Sequence, residues 1–184
     1  MKKLCFLTAL TALTSVSQGY GEEKMNNANY NYGYQSYGKE AISSIQANGS
    51  VILDGTKVLG LVQVNGSLEA DEAAMDSLQI NGQATLKNCL IRNGASINGS
   101  LTADNTKFQK ELSVASQKII LRTCSVESLT VRQVAGFEGV QIIDLKSGTK
   151  VTGPIVVESG NGEIWLSSNS EASGKITGAK VIRK

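Results

Sequence analysis

The sequence predicts an all-β chain: a single-stranded, right-handed parallel β-helix (β-solenoid) with about 16–17 residues per rung and roughly eight rungs. Three observations predict it. The heptapeptide VNGSLEA at Val64–Ala70 returns as INGSLTA at Ile97–Ala103, with a looser copy, INGQATL, at Ile80–Leu86 between them. The residues before each Asn-Gly pair, Ala47, Val64, Ile80 and Ile97, form a series that extends to Val114 and Val131 at steps of 16 or 17. Around each of these anchors the apolar residues alternate, which is the period of a strand and not of a helix.

A unit of this length cannot bury its apolar side alone. Stacked as turns of one coil, equivalent residues lie ~4.8 Å apart, each backbone pairs with the turns above and below, and the inward columns fuse into one core. The expected columns are Ile45, Val62 and Leu78 before the anchors, and Val51, Leu68, Ala84 and Leu101 after them. A further apolar spot falls 10–12 residues past the anchor, at Leu59, Met75, Leu90, Phe108, Val126 and Ile142. Gly49, Gly66, Gly82 and Gly99 share one column behind an Asn, and this pair tolerates positive φ, so it marks a corner. The right-handed winding follows from the general preference of parallel connections.

Taken in order, the chain divides into three. Residues 1–19 read as a signal peptide: two lysines, an apolar stretch from Leu4 to Val16, then small residues suited to cleavage. That stretch is too short for a spanning helix, and no other approaches the ~20 apolar residues a transmembrane segment needs. Residues 20–41 are rich in Tyr, Asn and Gly and nearly free of aliphatic side chains, so they read as a disordered linker. Residues 42–184 carry the solenoid, regular to about Val134 and looser beyond it, with Trp165 expected to fill the core of a terminal rung. The basic C-terminal residues are expected to keep the last edge strand from pairing indiscriminately.

Composition excludes several chemistries. The chain has 18 Lys and Arg against 16 Asp and Glu, and loss of Lys2 and Lys3 with the signal makes it neutral. A general nucleic-acid or anionic-membrane role therefore has no electrostatic basis at this level. Histidine is absent, which removes Ser-His and Cys-His nucleophile systems and the commonest metal ligand. Cys89 and Cys124 lie two rungs apart, roughly 10 Å, beyond disulfide reach, and are expected to be free and buried. No catalytic, cofactor-binding or metal-binding residue is assigned, and no cofactor is expected.

Two groups are candidate interaction residues. Tyr30, Tyr32, Tyr34 and Tyr37 place aromatics close together in the linker, suited to stacking on a sugar or another chain. Asp54 and Asp71 start a column that continues Lys87, Asp104 and Leu121, which reads as a charge-balanced surface ladder, with shared cation or catalytic carboxylate chemistry as the alternatives.

The run of NGS-L-x-A units with apolar-Asn-Gly corners resembles the small β-solenoids of the bactofilin type, polymer-forming bacterial cytoskeletal proteins. That resemblance implies a compact coil, no cofactor and end-to-end assembly through terminal rungs. Bactofilins act in the cytoplasm, whereas this chain carries an export signal. The expected function is an exported, non-enzymatic structural or interaction protein of the bacterial envelope or surface, placed in the periplasm, on the cell surface or outside the cell. It would associate with itself or with an envelope component or glycan through solenoid ends or faces. The alternatives are a carbohydrate-binding or polysaccharide-active β-helix protein and a secreted adhesin or effector.

Overall fold

The computed structural model describes residues 26–184, with side chains from Tyr32 onward. The signal segment 1–19 and residues 20–25 of the linker lie outside the described residues. What is described is a parallel β-solenoid of about nine turns with about 17 residues per rung and no helix.

Rungs one to five are single long strands: β1 (Asn26–Tyr37), β2 (Ala41–Asp54), β3 (Lys57–Asp71), β4 (Ala74–Lys87) and β5 (Leu90–Asp104). Rung six is β6 (Lys107–Ala115) plus β7 (Lys118–Arg122), and rung seven is β8 (Ser125–Arg132) plus β9 (Gln141–Lys146). Rung eight combines β10 (Lys150–Val151), β11 (Ile155–Val157) and β12 (Gly162–Leu166). The last rung combines β13 (Glu171–Ala172), β14 (Ile176–Thr177) and β15 (Ala179–Arg183).

The anchors stack in single file as the repeat requires, Ala47 on Val64, Ile80, Ile97, Val114 and Val131 in successive registers. All of them are buried, as are the columns Ile45–Val62–Leu78 and Val51–Leu68–Ala84–Leu101. The Asn-Gly corner is dictated by backbone geometry. Gly49, Gly66, Gly82 and Gly99 have φ between 133 and 143. A Cβ at any of them would strike the carbonyl oxygen of the glycine one rung below. A second corner uses isolated left-handed residues, Gly55, Glu72, Asn88, Asn105 and Thr123, with φ between 45 and 67. A small buried side chain follows each, giving the column Thr56, Ala73, Cys89, Thr106, Cys124.

Four expectations are corrected. The linker read over 20–41 differs over Asn26–Tyr37, where the chain forms β1, parallel to β2, with Gly33 on Gly49 and Tyr37 on Leu53. Its backbone groups complete the ladder of β2, and Tyr37 packs against the core in place of an aliphatic residue. In the carboxylate column Arg122, not Leu121, sits on Asp104, because Ser116 adds one residue at the corner between β6 and β7 and turns Leu121 inward. Beyond the anchors the inward column is Val58, Met75, Ile91, Phe108, Val126 and Val151, so Leu59, Leu90 and Ile142 fall outside it: the two leucines are the strand neighbours of the buried Val58 and Ile91 and so alternate outward, and Ile142 is an outward residue of β9. Trp165 points outward between the buried Ile164 and Leu166, so it is not core filling.

Candidate functional site

One outer surface gathers most of the chemistry-bearing side chains. It is built by the second half of β1 to β5, then by β7, β9, β12 and β15, and we call it the ladder face. Alternation sends Leu68 and Ala70 inward, so Ser67, Glu69 and Asp71 must point out, and the same holds on every rung. Three outward columns result, beginning at Ser50, Ile52 and Asp54.

The structure brings the two predicted groups onto this face. Tyr34 stands on Ser50 at its N-terminal end and Tyr32 stands on Asn48 at the adjoining corner. They are 68% and 83% exposed, so their rings face solvent. Tyr37 turns inward instead, and its hydroxyl donates to Gln35 Oε1 at 2.6 Å. Tyr30 belongs to β1, and its side chain lies outside the described residues. Asp54 and Asp71 are direct neighbours in register, four residues along the strand from Ser50 and Ser67. Asp71 Oδ1 accepts a 2.9 Å hydrogen bond from Asn88 Nδ2, which in turn accepts one at Oδ1 from Asn105 Nδ2 at 2.8 Å. Asp71 is thus tied into a surface ladder. Among the described residues no three His, Cys, Asp or Glu side chains group as a metal site.

The Asn-Gly corner edges this face with a second ladder. Asn65 Nδ2 donates to Asn48 Oδ1 at 2.8 Å, Asn81 to Asn65 at 2.8 Å and Asn98 to Asn81 at 2.7 Å. Rung six has Ala115 at this position, and Arg132 of rung seven reaches across it to donate from Nη2 to Asn98 Oδ1 at 2.6 Å. A guanidinium therefore heads a row of co-oriented amides, and these amides point outward.

A groove of about 340 Å³ runs over the N-terminal half of the face, lined by Tyr34, Ser50, Ser67, Glu69, Gln83 and Thr85. The C-terminal half carries an aromatic–cation pair instead. Trp165 Nε1 donates to Glu163 Oε2 at 2.9 Å, and Lys184 Nζ lies 3.1 Å from the Trp165 ring centroid, a cation–π contact. Beside it Asp144, 4% exposed, is paired with Lys146 Nζ at 3.0 Å.

Charge is sorted along the coil. Between residues 41 and 106 six carboxylates accompany three cations, and between 107 and 184 eleven cations accompany seven carboxylates. The ladder face repeats that sorting as a net balance, with Asp54, Glu69, Asp71 and Asp104 against Lys87 in one half, and Lys118, Arg122, Lys146, Lys180 and Lys184 against Asp144 and Glu163 in the other. The small net charge of the chain, +2, hides this polarity, and only the register of the outward columns brings it out.

Against known protein families, curated proteins and solved structures, the chain gives no match. Function is therefore argued from this geometry. Cys89 and Cys124 offer no reactive centre: both are free and buried. Burial pushes each thiol up to about 11, partly offset by backbone hydrogen bonds. Cys89 Sγ donates to Lys87 O at 3.0 Å and Cys124 Sγ to Arg122 O at 3.1 Å, the same contact that Thr106 Oγ1 makes to Asp104 O at 2.9 Å. They serve as threonine equivalents in the corner column.

Proposed function

We propose that the chain is an exported, non-enzymatic structural protein of the bacterial envelope or surface that associates through its two end rungs. Residues 1–19 act as the export signal on this reading, and the coil winds right-handed. One observation carries it. Among the described residues β1 pairs only with β2 and β15 only with β12, so each end presents an open parallel edge in matching columns. Open edges are templates for another chain.

The end columns suit a second copy of this chain. If β15 of one copy continues the coil onto β1 of the next, Val181 falls over Gln35, Arg183 over Tyr37 and Lys180 over Tyr34. Val181 is 44% exposed at an inward column position, so stacking would bury it. Two cation–tyrosine contacts would form beside it. The resemblance to bactofilin-type solenoids supports the same end-to-end mode.

Negative-stain microscopy and light scattering on the purified chain test the reading. The expected result is rods longer than one solenoid, roughly 40 Å at ~4.8 Å per rung, that lengthen with concentration and shorten to single units in Val181→Pro. Particles of one length at all concentrations, with no retention of envelope components, would count against it.

A further inference from the structure

The polarity of the ladder face does not follow from end stacking, and it fits one occupant well. We propose that two copies of the chain pair through their ladder faces, antiparallel and related by a two-fold axis, so that the acidic half of each covers the basic half of the other. This deepens the reading of the chain as a self-associating structural protein and rests on it, but uses a surface separate from the end rungs.

The charges choose the orientation. The two halves of the face are centred about four rungs apart, roughly 19 Å at strand spacing, which exceeds the ~8 Å Debye length at physiological salt, so they do not neutralise each other within one chain. Parallel pairing of two faces would set like halves together. Antiparallel pairing about an axis between rungs five and six keeps each column opposite itself and reverses the rung order. Asp104 of β5 then faces the partner's Arg122, Asp54 of β2 faces the partner's Lys184, and Glu69 of β3 faces the partner's Trp165; the one like-charge meeting in these columns, Lys87 of β4 with the partner's Lys146, is offset because Lys146 is already paired with Asp144. The pairing of Glu69 also sets the 340 Å³ groove beside it against the Lys184–Trp165 pair of the partner. Ile52 meets the partner's Ile182, which is 36% exposed in the single chain.

The area is adequate for a modest dimer. Eight rungs at ~4.8 Å by five residues at ~3.3 Å give roughly 600 Å² a side, close to the lower end of specific interfaces at ~1,200 Å² in total. Affinity of this kind is salt-sensitive, because opposite charges supply orientation and on-rate more than raw affinity.

Sedimentation velocity on the purified chain and two charge-reversed variants decides it. One variant carries K118E, R122E and K184E, which makes both halves of the face net acidic; the other carries D54K, E69K and D71K, which makes both net basic. Every substituted side chain points outward, and circular dichroism checks that both variants keep the β signal. The unsubstituted chain should form a dimer whose Kd weakens at least about tenfold as salt rises from ~0.05 to ~0.5 M. Each variant alone should lose the lateral dimer, and an equimolar mixture should form a one-to-one heterodimer. Self-dimerisation of either variant, or failure of the mixture to pair, overturns the proposal. So does a monomeric unsubstituted chain that sediments with phosphatidylglycerol vesicles and not with phosphatidylcholine vesicles, since the basic half would then serve a lipid surface. The two readings separate cleanly: lateral pairing stops at two, whereas end stacking lengthens with concentration, so either can fail while the other holds.

Discussion

Gly82 has φ 140, and its Cα sits so close to the carbonyl oxygen of Gly66 that no Cβ fits between the rungs. Both a disfavoured backbone region and a steric collision oppose any side chain there. Gly82→Ala should therefore cost about 3 kcal/mol, read as a lower urea midpoint with little change in slope. Burial governs the thiols in a comparable way. Cys89 and Cys124 rise from 9.0 to about 11 in the folded chain because a thiolate there would lack solvent. A folded pKa above the unfolded one means that the unfolded chain loses its proton first. The thiols' contribution to stability is thus complete below about pH 9 and is lost as pH climbs through about 11. Urea titrations at successive pH should show that decline, and it should vanish in a variant with both thiols replaced by Ser. Disulfide exchange reagents at pH 8 should label neither thiol until the chain unfolds.

Strand β1 tests how far local sequence decides an element. Tyr, Asn and Gly in this segment form no apolar run, which is the composition of a linker, yet Gly33 precedes Gly49 by 16 residues, within the 16 or 17 that separate later corners. That spacing was the available signal, and it was masked because Gln35 and Tyr37 stand where Val51 and Leu53 stand one rung later. Removing residues 26–40 should uncover the edge of β2 and delete the bonds from Thr56 Oγ1 to Tyr37 O and Gly38 O, at 3.0 and 2.7 Å. Because each rung touches only its neighbours, hydrogen exchange should quicken in β2 and stay unchanged in β5; equal loss in both would mean the coil unfolds as one unit. Elsewhere the regular rungs, β2 to β5, were legible because identical columns demand identical residues. The later ones were less so: one extra residue at Ser116 and the longer path over 133–140 between β8 and β9 break a fixed count without breaking the stack. The candidate face suffered from the same cause. Asp54 and Asp71 could be placed side by side from spacing, but the Arg122 and Lys146 continuation needs the inserted residue to be known, and Trp165 changes sides with a shift of one.

At the scale of the whole molecule, the decisive property is that the interior is a sum of stacked columns and has no centre. A globular core is ruined by removing a contiguous piece from its middle, because the surviving parts were shaped around it. A solenoid should tolerate the loss of a complete rung and fail on the loss of half of one. Deleting residues 74–89 joins Ala73 to Leu90, and Leu90 already occupies the column of Ala74. Val64 would then meet Ile97, Asn65 would meet Asn98, and Asp71 would meet Asp104, so that every inward column and both corners are preserved. That chain should keep its β circular dichroism and unfold cooperatively, with a denaturant slope lower by about one rung's share of nine. Deleting residues 74–81 instead places Gly82 and Gln83 where Ala74 and Met75 stood, sends polar side chains into the column of Val58, and should abolish the folded state. If the whole-rung deletion unfolds as readily as the partial one, stacking of equivalent turns is not what holds this chain together.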